Sequence, residues 1–131
     1  VLDKHVQKRR ANYEYYKKAL VHIKEISFLE EPIDCLSNRW LSCILVDPSN
    51  GISRETLRLA LEAQNIESRP LWKPMHLQPV FKDAPIYGDK ISERLFNDGL
   101  CLPSGSNLSL EELERVVNVI VNVFDKKLLL H

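Results

Sequence analysis

Hydrophobic and polar positions along the chain divide it into short periodic segments separated by clusters of turn-forming residues. Residues 3 to about 24 carry Val6, Tyr13 and Leu20 at seven-residue spacing, with Leu2, Tyr16 and Ile23 on the neighbouring row. This predicts an amphipathic helix, its stripe interrupted at Arg9. No cap or turn precedes it. The chain opens at Val1-Leu2 already in helical phase, which predicts a cut inside or just before a longer structure. Glu30-Glu31-Pro32 to Asn38 reads as a linker. Trp40-Leu41-Ser42-Cys43-Ile44-Leu45-Val46 is a nearly continuous apolar run, as expected of a strand covered on both faces. Asp47-Pro48-Ser49-Asn50-Gly51 is a turn cluster.

A second helix starts after Ser53, the N-cap, with Ile52 and Leu57 placed for a hydrophobic staple and Leu57, Ala60 and Leu61 inward. It ends near Gln64-Asn65, and Ile66-Glu67-Ser68 begins a short strand. The run that follows, to Phe81, holds three of the seven prolines. Proline fixes φ, removes a donor and biases the preceding residue away from the α region, so this is a stiff extended connection with at most one helical turn over 76–81. A helix over Asp89–Phe96 follows, closed by Gly99, and then a short strand, Leu100-Cys101-Leu102, stopped by Pro103. The last helix has the clearest signals. Ser109 and Glu112 form a capping box, Leu108 and Leu113 a staple, and Leu110, Leu113, Val116, Val117, Ile120, Val121 and Phe124 one apolar face. Acidic residues open it, and Lys126 and Lys127 close it, in accord with the macrodipole.

This order predicts an α/β (α+β-like) fold: a small, mainly antiparallel sheet with helices on one face. A length of 131 residues suits one domain. Eighteen basic residues balance 18 acidic ones, so no electrostatic footprint for nucleic acid or an anionic membrane exists. No apolar run reaches the roughly 20 residues of a membrane span, and no signal-peptide pattern is present. Cys35, Cys43 and Cys101 are odd in number and widely spaced, which argues against a disulfide framework and fits a reducing cytoplasm. The four histidines lack metal-ligand spacing, so no metal site is expected.

Candidate chemistry concentrates in the proline-rich loop. Arg69, Trp72, Lys73 and His76 put cations, a large aromatic face and an imidazole on one rigid segment, as in a ligand wall. The competing reading is a surface loop in which Trp72 plugs the core edge. Elsewhere there is no G-x-S-x-G, H-E-x-x-H, P-loop or G-x-G-x-x-G. Cys101 in its apolar strand reads as packing, and Ser104-Gly105-Ser106 is a weak anion cradle. No residue is assigned as catalytic.

Several stretches together resemble one family. They are Arg10-Ala11-x-Tyr13-x-x-Tyr16-x-x-x-Leu20, Gly51-Ile52, Asn65-Ile66-Glu67-Ser68-Arg69-Pro70-Leu71-Trp72-Lys73-Pro74-Met75-His76, and Leu102-Pro103-x-Gly105-x-x-Leu108-Ser109-x-x-Glu112-x-x-x-Val116. Together they are similar to the C-terminal part of the DegT/DnrJ/StrS family of pyridoxal-phosphate-dependent nucleotide-sugar aminotransferases. Trp72-x-Pro74-x-His76 and the Leu-Pro turn are the specific parts.

The resemblance implies the small domain of a fold-type I enzyme: residues 1–131, with 1–24 as a leading interdomain helix and 40–127 as sheet and helices. It also implies a preceding large domain bearing the cofactor contacts and the Schiff-base lysine, for which no lysine here has the required context. The implied reaction transfers an amino group, from glutamate, to a nucleotide-linked keto-sugar in surface-glycan synthesis. The full-length protein would be a homodimer holding pyridoxal phosphate, with no cofactor or activity expected of this chain alone. Trp72 and His76, with Arg69 and Lys73 secondary, are the implied substrate-binding residues. A free-standing, non-catalytic α+β module binding a ligand or partner is the alternative.

Overall fold

The computed structural model describes residues 1–128. The elements run α1 (Leu2–Leu20), β1 (Ile26–Phe28), β2 (Ser42–Val46), α2 (Arg54–Glu62), β3 (Arg69–Pro70), α3 (Ile91–Asp98), β4 (Gly99–Leu102) and α4 (Leu110–Leu128). The four strands form one antiparallel sheet in the order β1-β2-β4-β3. This is the α/β class with a small antiparallel sheet that the sequence predicts.

Strand alternation assigns the faces. Ile26, Ile44, Val46, Leu100 and Leu102 point to one side and form the core with Tyr16 and Leu20 of α1, Leu57 and Leu61 of α2, and Leu113, Val116, Val117, Ile120 and Phe124 of α4. Each fully buried Leu or Ile removes enough apolar surface to contribute about 1.5–3 kcal/mol. Three helices thus cover one face. α3 touches β2 and β4 but adds no buried residue.

Both helix starts are as the sequence predicts. At α2 the Ser53 hydroxyl accepts from Thr56 N–H at 3.2 Å, and Thr56 Oγ1 accepts from Ser53 N–H at 3.3 Å. Ile52 and Leu57 are both buried. At α4 the box closes in both directions: Glu112 N–H donates to Ser109 Oγ at 3.2 Å, and Ser109 N–H to Glu112 Oε2 at 2.8 Å.

Several boundaries differ from expectation. α1 ends at Leu20, not near 24; Ile23 is buried, but from a turn in which its N–H bonds Leu20 O. β1 occupies a segment assigned to no element, being too short for a period to show and existing only as a partner of β2. The strand expected at Ile66-Glu67-Ser68 begins later, at Arg69–Pro70. It pairs Arg69 with Cys101 and Pro70 with Leu100. As the edge strand it tolerates Pro70, whose missing N–H has no ladder partner to lose. Gly99 closes α3 as expected, its N–H donating to Leu95 O, but it does so at φ −91°, an ordinary extended value, and is already the first residue of β4. Glycine is needed there because a Cβ would overlap the Leu71 side chain and the Leu95 carbonyl oxygen. Two successive single turns of 3₁₀ helix, Met75–Leu77 and Pro79–Phe81, occupy the stretch read as one turn. Of the basic helix end, the Lys127 side chain lies outside the described residues.

Candidate functional site

A groove of about 660 Å³ opens where β3, the turn after β4 and the first half of α4 converge. Its aromatic wall is Trp40 and Trp72, whose ring centroids lie 5.8 Å apart with planes inclined by 37°. Both indoles are exposed, at 59% and 66%, so the pair is a surface offered outward and not a core plug. That settles the position of Trp72 against the core-edge reading.

Local structure positions each part. Trp40 follows Arg39, which sits in the left-handed region at φ 47° with its guanidinium carbon 3.7 Å from the centre of the Tyr13 ring. Trp40 N–H donates to Asn38 Oδ1 at 3.0 Å, and its carbonyl accepts from Arg9 Nη1 at 2.6 Å. Trp72 leaves β3 immediately after Leu71, whose side chain rests on Gly99. Behind the groove, α1 holds the Pro103–Gly105 turn through two buried or half-buried polar groups. Tyr16 OH donates to Pro103 O at 2.9 Å, and Asn12 Nδ2 to Gly105 O at 2.9 Å. Burial pushes the Tyr16 phenol pKa well up, so it remains a donor. Ser104 Oγ accepts from Ser42 N–H and donates to Leu102 O, both at 2.7 Å.

The groove's cations are Arg69 and Arg115. Arg69 Nε donates to Glu67 Oε1 at 2.7 Å, an exposed pair, and Arg115 Nη2 donates to the Gln64 carbonyl. Glu112 also lines the groove, and its carboxylate is committed to the α4 cap. Two indole faces beside two guanidiniums suit a flat ring carrying an anionic group. Among the described residues no lysine lines the groove.

Of the four expected binding residues, the structure brings Trp72 and Arg69 together on this groove and leaves two outside it. His76 sits in the first 3₁₀ turn with Nε2 3.0 Å from Glu93 Oε1 of α3, both side chains partly buried. Lys73 is exposed on the loop and absent from the lining. Trp40 and Arg115 carry no site signal in the sequence. Trp40 reads as the start of an apolar strand and Arg115 as the solvent face of a helix; only the chain's packing brings them to Trp72. Ser104 and Gly105 of the weak cradle do line the groove, and the Ser104 hydroxyl proton is committed to Leu102 O within the fold.

No described helix is long and apolar enough to cross a membrane, and no cluster of three metal-ligating side chains occurs among the described residues. Residues 1–121 match the model of the DegT/DnrJ/EryC1/StrS aminotransferase family. The chain is 43% identical over 128 residues to EpsN of Bacillus subtilis (strain 168), a protein named for pyridoxal phosphate-dependent aminotransferase activity; the match covers 95% of this chain and 32% of that protein. It is 27% identical over 125 residues to the GDP-perosamine synthase of Vibrio cholerae, covering 95% of this chain and 34% of the synthase. Helicobacter pylori PseC, an aminotransferase involved in pseudoaminic acid biosynthesis, shares the fold with a TM-score of 0.80 at 18% identity, over 93% of this chain and 33% of PseC. The chain therefore spans about a third of the length of the relatives it matches.

Proposed function

The chain belongs to the DegT/DnrJ/EryC1/StrS aminotransferase family, and from that membership we propose that it forms the C-terminal small domain of a sugar aminotransferase. In this reading residues 1–24 lead in from a larger domain, and residues 40–127, joined by β1 at Ile26–Phe28, supply the sheet and helices beside the substrate. The intact protein is a cytoplasmic homodimer that moves an amino group, from glutamate, to a nucleotide-linked keto-sugar for surface-glycan synthesis.

Pyridoxal phosphate, which such an activity requires, does not fit the groove of this chain. The lining offers guanidiniums and indoles but no amine to hold an aldehyde. The cofactor and its lysine are assigned to the part of the intact protein outside these residues. The residues present act on the substrate: they bind and orient it. Trp72, with Trp40, packs against a ring of the nucleotide-sugar, and Arg69 faces its phosphates. His76, held by Glu93 through Nε2, keeps only Nδ1 for a ligand and acts from the neighbouring turn. Lys73 contributes a screened charge.

The observation carrying this reading is that the family match runs over residues 1–121 and includes the loop whose Trp72 stands exposed. The test is steady-state kinetics of the full-length protein with Trp72→Ala and His76→Ala. Loss of about 1.5–3 kcal/mol of substrate interaction lowers kcat/KM for the nucleotide-sugar roughly ten- to a hundredfold, while cofactor absorbance stays near normal. Unchanged sugar kinetics with a destabilised fold would make both residues structural and sink the assignment.

A further inference from the structure

Cys43 and Cys101 play no part in substrate binding as proposed above, and their arrangement calls for its own account. They stand directly opposite one another on β2 and β4, with sulfurs 3.6 Å apart. Alternation places them on the sheet face away from the apolar core, since Ile44 and Leu100, their neighbours in the ladder, point into it. On the far side of β4, Cys101 pairs with Arg69, so Cys43, Cys101 and Arg69 form one row across the sheet. Cys101 and Arg69 both line the groove. All three cysteines of the chain are free thiols, and Cys35 is exposed elsewhere.

The backbone already meets the demands of a cross-link. A disulfide requires Cα atoms about 4.4–6.8 Å apart, and directly opposed residues of an antiparallel ladder lie about 4.5 or 5.5 Å apart, inside that window in either case. The sulfurs need approach by only about 1.5 Å to reach the bonded distance, which side-chain rotation supplies. The two thiols are also differentiated. The hydrogen bond from Cys43 favours the thiolate at Cys101 and lowers its pKa against the effect of burial, while that same bond, and then burial, hold the Cys43 thiol up.

We propose that Cys43 and Cys101 are an oxidisable thiol pair that hydrogen peroxide converts into a cross-strand disulfide, joining β2 to β4 beside the aromatic groove. In the first step the Cys101 thiolate attacks one peroxide oxygen. An S–O bond forms, the O–O bond breaks, and the departing hydroxide takes up a proton as water. The Cys43 sulfur then attacks the Cys101 sulfur, forming S–S and breaking S–O. The second hydroxide leaves with the Cys43 proton, again as water. Two electrons pass from the two thiols to the peroxide, and a low-molecular-weight thiol reverses the change by exchange.

The experiment treats the reduced protein with hydrogen peroxide, blocks remaining thiols under denaturing conditions, and maps the peptides by mass spectrometry. The expected product is a peptide pair linking Cys43 to Cys101, two hydrogens lighter than the sum of its parts and released by dithiothreitol, with Cys35 recovered in other fractions. Because the link spans 58 positions and restricts the unfolded chain, the oxidised protein unfolds at a higher urea concentration than the reduced one. Cys43→Ser abolishes both the linked peptide and the stabilisation and leaves Cys101 as a sulfenic acid that dimedone traps, whereas Cys35→Ser changes neither. Recovery of Cys43 and Cys101 as blocked thiols after peroxide has oxidised Cys35 overturns the proposal. So does a disulfide that joins either of them to Cys35.

Discussion

Replacing Gly99 by alanine tests how the groove is held. At φ −91° the backbone is one that alanine adopts freely, so conformational strain is not at issue. The obstacle is steric, and it has two parts. The new Cβ would overlap the Leu71 side chain, which can move, and the Leu95 carbonyl oxygen, which belongs to the last turn of α3 and has little freedom. Forcing one carbon into a packed site costs about 1–3 kcal/mol. Loss of glycine's freedom in the unfolded chain returns about 0.4–1 kcal/mol. The net expectation is a destabilisation of about 1–2 kcal/mol. With an m-value near 2 kcal/mol/M, this moves the urea midpoint down by roughly 0.5–1 M.

Leu71 directly precedes Trp72, and the two tryptophans of the chain are the groove's facing pair. Displacement of Leu71 therefore shifts the native tryptophan emission of Gly99→Ala as well as its stability. The double variant Gly99→Ala/Leu71→Ala removes the movable obstacle but not the carbonyl. Its stability should exceed the additive sum of the two single changes by at least about 0.5 kcal/mol. An alanine variant as stable as the parent with unchanged emission, or a strictly additive double variant, would falsify the packing described.

Ser109→Ala removes one half of the α4 capping box and should lower the unfolding free energy by about 1 kcal/mol in urea titration. Ile120→Ala, at a fully buried position on the same helix, should cost about 2–5 kcal/mol by the same measurement, because a cavity adds to lost burial. Tyr16→Phe leaves the Pro103 carbonyl without its donor and should cost about 1 kcal/mol while leaving the core volume nearly unchanged.

The last prediction concerns pH. The hydrogen bond from Arg10, and then that from the Ser37 backbone, hold the Glu31 carboxyl at about 2, below its ordinary 4.5. A depressed folded value means stabilisation that is complete above the unfolded value and is lost as pH falls from 4.5 toward 2. Thermal melting across that range should show the acid loss in the parent and a flatter limb in Glu31→Gln.

The local signals survived in the structure where the determinants lie within a few residues of one another. Ser53 and Ser109 cap their helices because a side-chain oxygen three residues before an orphan N–H finds it in any surroundings. The inner faces of α2 and α4 follow from 3.6-residue periodicity alone, and the stiffness of the loop after Pro70 follows from the proline rings. The family, too, was legible, because its motifs are carried by contiguous residues such as Trp72-Lys73-Pro74-Met75-His76. Elements defined by a partner were not. β1 has three residues and no period of its own; it is a strand because Val46, Leu45 and Ile44 lie opposite. Gly99 reads locally as the terminator of α3, and it is; that glycine is also needed for space at that point comes from the Leu95 carbonyl together with Leu71, 28 positions earlier in sequence.

The binding residues divide in the same way. Sequence proximity suggested that Arg69, Trp72, Lys73 and His76 act together, but the turn at Met75 carries His76 away to Glu93. On the groove Trp72 keeps Arg69 and gains Trp40 and Arg115, from segments distant in sequence. Cys43 and Cys101 likewise become a pair only through the β2–β4 register. A one-residue slip in that ladder would turn one set of side chains to the opposite face, and no local pattern encodes which strand lies beside which.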